Sequence, residues 1–332
     1  MLAATTFAQN PAAADLHQPA SVTKTAYSDN YMYFTPNDNG APAAGATAEP
    51  EKKTEAAPEE EKKDEASSDE EEKAPEPHRL IGKLGCTNIN ITGWLDMGLT
   101  GNTDNPFSRY NGTLAPNDRN EFQFNQLYMV MEKTLKTDDC NWDIGGRVDL
   151  LYGTDYIYCE SLGFETNPDG SPKWNAGIDY GLAMPQAYVD VGYGKVDLKL
   201  GRFYTIIGYE SMMAISNFFY SMNYALRYAE PTTHTGGLLT YKHSDEISYY
   251  IGGVNGQDET DGLTDSFAAL TGFAYTPKDK KYALNFAIMT GGLEPRTADT
   301  TTVPYEPRTY FSTYLTYNFN KKWQSVTQWD AG

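Results

Sequence analysis

The chain has 332 residues, with 45 acidic against 26 basic side chains, and a mean hydropathy of −0.57. No run of 18 apolar residues is present, which excludes a helical membrane protein. The acidic balance leaves no basic stripe to neutralise phosphates, so no nucleic-acid partner is expected. Gly and Tyr are abundant and Cys is scarce, a composition that suits β-structure, with Tyr and Trp also suited to a membrane interface.

The opening MLAATTFAQN reads as the tail of a secretory signal, with small residues at Thr6 and Ala8 and a cleavage site after Ala8. Residues 1–8 are then a signal remnant and 9–85 a disordered periplasmic segment. Within that segment YSDNYMYFTPNDNG (27–40) is aromatic but isolated, and both a short contact site and plain disorder stay open. Residues 41–78 hold eleven Glu, two Asp and five Lys, a net of −8, and can form no core. A disordered acidic linker is expected there, either a solvated spacer or a tether for something basic.

From residue 87 a rhythm begins. Strands are predicted at 87–100, 121–134, 140–151, 185–192, 196–206, 235–243, 247–255, 267–276, 282–290, 308–319 and 322–330. The connections alternate between short turns rich in Asp, Asn, Gly and Lys (136–139, 193–195, 244–246, 277–281, 320–322) and long loops (101–120, 152–184, 207–234, 256–266, 291–307). Short turns on one rim and long loops on the other is the plan of an up-and-down antiparallel transmembrane β-barrel. The fold expected for 86–332 is therefore all-β. Eleven strands is an odd count, and no terminal aromatic closes the chain, so the barrel is expected to be incomplete at its C-terminal side.

The faces agree. In VDLKLGRFYTIIGYE (196–210), Val196, Leu198 and Leu200 alternate with Asp197 and Lys199. The first group is assigned to lipid and the second to a water-filled lumen, since a lipid-facing charge at mid-depth costs about 2–4 kcal/mol. The same parity places Asp96, Arg147, Asp149, Asp190 and Lys242 on the lumen side with Asp197 and Lys199. The strands EFQFNQLYMVMEKTL and FAALTGFAYTP alternate less regularly, which points to bulges. Trp142, Tyr241, Tyr275, Tyr282, Phe319 and Trp323 gather near the short-turn rim, where an interfacial girdle belongs. Gly145, Gly146, Gly201, Gly252 and Gly253 lie inside strands, serving curvature or leaving room for an inward loop.

The loop 207–234, with Met212, Met213, Phe218, Phe219, Met222, Tyr224 and Leu226, is unusually apolar. Exposed, it would be sticky, so it is expected to fold into the barrel and narrow the pore, with a turn or two of helix in 211–228. Its polar residues Glu210, Asn217, Asn223, Arg227 and Glu230 would face the remaining channel. Four Asp against three bases on the wall give an expected weak cation preference. Cys86 and Cys140 both map to the short-turn rim and form the expected disulfide, while Cys159 stays free in the loop above.

No metal-ligand spacing, nucleophile elbow or phosphate loop occurs, so no metal, cofactor or enzymatic activity is expected. Ser211, His234 and Glu210 can be assembled on paper only, and His234 is expected at a strand edge near the headgroups.

The runs LGRFYTIIGYE (200–210), PTTHTGGLLTY (231–241), IGGVNGQD (251–258) and ITGWLDMGLTGN (91–102) resemble the OmpL-like β-barrel porin-2 family. The resemblance covers about residues 88–332 and rests on spaced Gly, Tyr and Thr-Gly. It implies a channel for small hydrophilic solutes in the cell outer membrane, surrounded by outer-membrane lipid, and leaves a homo-oligomer open. Two other readings stand beside it: a non-transport barrel anchoring the envelope through 9–85, and a barrel enzyme.

Overall fold

A computed structural model describes residues 88–104, 121–137, 141–167, 170–175, 179–261, 267–291, 308–320 and 323–332. The expectations for the signal remnant, the acidic linker, the aromatic patch 27–40, Cys86 and Cys140 fall outside the described residues.

Eleven strands follow one another in chain order. They are β1 (Asn90–Leu99), β2 (Phe122–Lys133), β3 (Trp142–Gly153), β4 (Gly181–Tyr193), β5 (Val196–Tyr204), β6 (Thr233–Lys242), β7 (Ile247–Val254), β8 (Ala268–Tyr275), β9 (Tyr282–Gly291), β10 (Thr309–Asn320) and β11 (Trp323–Ala331). Each pairs antiparallel with the next in a single sheet ordered β1 to β11. Among the described residues the short turns 194–195, 243–246 and 276–281 lie on one rim, and the segments 154–167 and 205–232 start from the other. Among the described residues β1 pairs only with β2 and β11 only with β10.

Alternation in sequence becomes alternation in space. Along β5, Val196 and Leu200 are exposed whereas Lys199 is buried. Opposite it on β4, Val189 is exposed and Tyr188 buried. The exposed set continues through Leu95, Met97, Ile144, Leu182, Ile251 and Leu315, which is an apolar outer face. Aromatic rings bound it at the short-turn rim, where Trp142 meets Tyr193 at 4.8 Å and Tyr275 meets Tyr282 at 5.8 Å between centroids.

The sheet curves inward. Tyr128 on β2 and Tyr204 on β5 bring their hydroxyls to 2.9 Å. Three strand spacings of about 4.8 Å separate those strands in a flat sheet, so contact requires the sheet to bend around them. The inner side holds two apolar clusters, one around Tyr128, Leu151, Tyr158 and Met212, the other around Phe203, Ile207, Leu238, Leu270 and Met289. Phe203 and Tyr204 are neighbours in sequence, both buried, and belong to different clusters, so the end of β5 lies where the two clusters meet.

Register shifts occur in three places. At Asp96/Met97 the partner on β2 jumps from Gln126 to Phe124, leaving Asn125 as an extra residue. At Asp149/Leu151 an extra residue enters β4 beside Met184 and Pro185, and the third shift lies at Asn318/Asn320. The irregular alternation of the second strand is therefore a bulge. The eighth strand is a correction: β8 pairs with β7 and β9 without any shift. Its uneven pattern comes from small residues, Ala269, Thr271 and Gly272, which can sit on either face.

Leu200 stands at the middle of β5 on the outer face. Leu200→Arg is expected to destabilise the protein refolded into lipid vesicles by roughly 2–4 kcal/mol, measured by urea titration. A loss under about 0.5 kcal/mol would contradict the assignment of that face to hydrocarbon.

Candidate functional site: the inner face and the 205–232 segment

The bulge at Asn125 has a direct consequence inside the sheet. Two consecutive side chains, Asn125 and Gln126, both turn inward and are fully buried, which regular pleating forbids. Asn125 Nδ2 donates to Thr154 Oγ1 at 3.2 Å, and its Oδ1 accepts from Tyr220 Oη at 2.7 Å. Gln126 Nε2 donates to Asp155 Oδ2 at 2.8 Å and to the Met212 carbonyl at 2.5 Å. Its Oε1 accepts from Trp94 Nε1 at 2.9 Å and from the Ala214 amide at 3.1 Å. All four hydrogen-bonding positions of one amide are thereby used.

Most of those partners belong to the segment between β5 and β6. Leaving β5, it passes over the inner face of β8, where Ile206 sits above Gly272. It reaches β10 and β11, where the Tyr209 ring meets Tyr314 at 5.4 Å and the Tyr209 amide donates to Gln328 Oε1 at 3.1 Å. It then returns to β1–β3 through Met212, Met213 and Tyr220. Arg147 Nη2 points at Met213 Sδ at 3.5 Å. The Tyr220 ring occupies the place where a Cβ on Gly98 of β1 would stand, so glycine there gives the ring its seat. One segment thus touches both edges of the sheet.

Locally the segment is stitched by its own polar residues. Asn217 Oδ1 accepts from the Ser211 amide at 2.7 Å, and its Nδ2 donates to the Ser211 carbonyl. Asn223 caps the short helix α1 (Tyr224–Tyr228), accepting from Leu226 N at 2.7 Å. Glu210 Oε2 accepts from the Asn223 amide at 2.7 Å, and burial raises its carboxyl above the usual range. The Arg227 guanidinium lies over the Tyr158 ring at 4.8 Å. Glu230 departs from the expectation that it faces open channel: it is fully buried, turned towards β11, and accepts from Gln328 Nε2 at 2.5 Å. Burial, with Asp330 beside it, holds its carboxyl well above the ordinary range.

Burial of the apolar residues is divided. Met212, Met213, Met222 and Leu226 are buried, whereas Ile215, Phe218, Phe219 and Tyr224 are exposed, Phe218 at 91%. The chain doubles back there, so neighbouring side chains face opposite ways.

The wall residues fall into three kinds. Arg147 and Asp149 are buried together, with Nε to Oδ1 at 2.6 Å and Nη2 to Oδ2 at 2.8 Å. Asp149 also accepts from Tyr128 Oη at 2.5 Å and Gln186 Nε2 at 2.9 Å. Lys199 is buried with its ammonium 4.2 Å from the Tyr188 ring centroid and sits opposite Asp190 on β4. Asp96, Asp190 and Asp197 are half-buried on the inner face, and Lys242 is exposed at the short-turn rim.

Sequence reasoning missed a second ion pair. Glu165, in the β3–β4 loop, takes Arg202 Nη1 on both oxygens at 2.6 and 2.7 Å, and both residues are buried. Arg202 Nη2 reaches the Cys159 carbonyl at 2.5 Å. Cys159 is free and buried, and burial pushes its thiol up. The 3-10 turn Thr154–Tyr158 carries Asp155, whose carboxyl burial pushes up to about 7.

His234 is corrected. It is fully buried and not on an exposed edge, with Nε2 at 2.8 Å from Thr205 Oγ1 and Nδ1 at 2.8 Å from the Gly256 carbonyl. Its strand end is covered by the inward-turning chain. Ser211 Oγ accepts from the Met213 amide, so Ser211, His234 and Glu210 are not brought together.

An antiparallel up-and-down sheet with an apolar, aromatic-bounded outer face and a polar, loop-filled inner face defines a β-barrel protein of the outer-membrane porin class. The chain matches the family described as "Putative beta-barrel porin-2, OmpL-like" over residues 88–332, and it belongs to that family. No curated protein and no solved structure matches it.

Glu165→Ala strands the Arg202 guanidinium without its carboxylate. A loss of about 3–5 kcal/mol is expected for a broken buried pair, read from urea titration in lipid vesicles. A loss below about 1 kcal/mol would mean that the loop relaxes and hydrates Arg202.

Proposed function

We propose that this protein lets small hydrophilic solutes diffuse passively across the outer membrane, and that the segment 205–232 narrows the passage. The observation that carries this reading is the path of the segment across the inner face, from Gln328 on β11 to Gln126 on β2. A chain pinned at both edges of a curved sheet occupies space that solutes would otherwise use. Membership of a porin family supports the transport role. The short-turn rim is read as periplasmic, which puts residues 9–85 there, since β1 begins at that rim. The reading includes no catalytic step and leaves room for assembly of several copies.

Charge adds a preference. The inner face carries Asp96, Asp190 and Asp197 against Lys199 and Lys242, with Arg147 and Asp149 neutralising each other. Rings of like charge set ion preference in pores. A weak cation preference follows, stronger at low salt, where screening is weaker.

Single-channel conductance in a planar bilayer tests both points. Deleting 211–228 is expected to raise the conductance clearly, and the intact chain is expected to favour cations in a salt gradient. Conductance at baseline in the intact chain would end the porin reading. Conductance unchanged by the deletion, or an anion preference, would reject the constriction or the charge assignment respectively.

A further inference from the structure

The 205–232 segment has two unlike sides. Met212, Met213, Met222 and Leu226 are buried and pack with Tyr128, Leu151 and Tyr158. Ile215, Phe218, Phe219 and Tyr224 are exposed, on the side turned away from that wall and towards the space the sheet bends around. Polar ties fix the chain beside each ring. Asn217, just before Phe218, bonds both backbone groups of Ser211. Tyr220, just after Phe219, is seated over Gly98 of β1 and donates to Asn125 Oδ1 at 2.7 Å. Asn223, just before Tyr224, caps α1. The rings stand in pairs, Phe218 with Phe219 and Tyr224 with Tyr228, each at 4.8 Å between centroids. Apolar surface held outward in this way marks a binding site rather than packing.

We propose that Phe218, Phe219 and Tyr224 form a stacking site in the passage for organic cations, quaternary ammonium compounds above all, which pause on the rings as they cross. This names a solute class for the pore and rests on the reading of 205–232 as part of its lining.

Charge selects the occupant. Glu210 accepts from the Asn223 amide at 2.7 Å, beside Tyr224. Asp96 lies on the inner face of β1, two residues from the Gly98 seat of Tyr220. The cation close by, Arg227, is held over the Tyr158 ring at 4.8 Å and the Tyr228 ring at 5.9 Å, and it faces Asp155. The surroundings of the exposed rings are therefore acidic. A ring face attracts a cation, most strongly one that sheds its water, and quaternary ammonium groups are held by aromatic rings in this way. The chain already uses its own rings so, with Lys199 over Tyr188 and Arg227 over Tyr158. Among the described residues no cation lies over Phe218, Phe219 or Tyr224. A neutral sugar could meet these rings through its C–H faces but draws nothing from the carboxylates, and an anion is repelled by them. Exposed sites bind a cation weakly, as a passage requires if the solute is to leave again.

The test is the potassium current of the full chain in a planar bilayer at about pH 8, where carboxyls are ionised, with tetraethylammonium or glucose added on one side. Tetraethylammonium is expected to block the current saturably, and glucose at the same concentration is not. The triple variant Phe218→Leu, Phe219→Leu, Tyr224→Leu keeps apolar bulk without ring faces, and its half-blocking concentration of tetraethylammonium is expected to rise about tenfold. Its own potassium current reports that the channel has formed. Should the triple variant carry no current, Phe218→Leu alone decides, at the most exposed of the three rings. The double variant Asp96→Asn, Glu210→Gln keeps the rings and is expected to weaken the block, more at low salt than at high. Glucose blocking as well as tetraethylammonium, or a leucine variant that keeps the wild-type half-block, overturns the proposal. A chain that carries potassium current untouched by tetraethylammonium also overturns it and leaves the pore standing. A chain without potassium current removes both.

Discussion

A strand that crosses hydrocarbon has to find every backbone partner in its neighbours, because no water is there to supply one. The eleven strands meet that demand in the simplest way, each bonded to the next in chain order. Once the backbone is committed sideways, the side chains are left with two directions only. One direction must tolerate lipid, and Val196, Leu200, Ile144 and Ile251 take it. The other direction is released from that constraint and can hold almost any chemistry. The composition of the chain follows from this division: modest hydropathy overall, because only one parity of each strand has to be apolar.

What fills the inner direction resembles the core of a soluble protein more than a smooth pipe. Tyr128, Leu151, Met212 and Leu226 pack on one side of the β5 end, and Phe203, Ile207, Leu238 and Met289 on the other. Two pairs of charges are set into this packing, Arg147 with Asp149 and Arg202 with Glu165. Buried pairs of this kind return little net stability, since desolvation offsets their attraction. Their geometric demand is stricter than that of an apolar contact. Arg202, with Nη1 on both Glu165 oxygens and Nη2 on the Cys159 carbonyl, ties two points of the β3–β4 loop to β5.

Strand positions were legible because period-two patterning is written locally. All eleven strands could be located within a few residues from alternation and turn chemistry alone. The apolar loop was legible for a different reason: Met212, Met213 and Leu226 in a connecting segment need a surface to cover them. The inside of the barrel was the expected place, but which wall residues meet the loop could not be read. Gln126 looks like any polar strand residue, and its partners stand at Trp94, Asp155, Met212 and Ala214, up to 88 positions away. The one available signal was local. Gln123 and Asn125 flank Phe124 in regular alternation, and Gln126 then puts a second polar residue directly after Asn125, which throws inward and outward positions out of step. His234 misled for the same reason as Gln126, since its burial comes from Thr205 and Gly256, which the sequence does not place beside it.

The irregularities of the wall are not scattered. From β5 to β10 every register runs without a shift. Two of the three shifts lie in β1–β4, one beside Asn125 and Gln126, the other beside Gln186. Each puts an amide inward next to the loops: Gln126 bonds the 205–232 segment, and Gln186 bonds both Asp149 and the Tyr204 amide. Gly201, at φ +131° in β5, stands against the Ala187 carbonyl of β4, just before the residues that turn inward. A bulge gives up part of the ladder and gains a re-aimed side chain. A wall that only had to hold lipid back would have no use for that exchange. Its concentration where chain folds into the lumen ties the departures from regular pleating to the placement of the inner segment, and an amide is well matched to the task. It donates and accepts at once and keeps both abilities at any pH, so one side chain can hold two parts of the chain together.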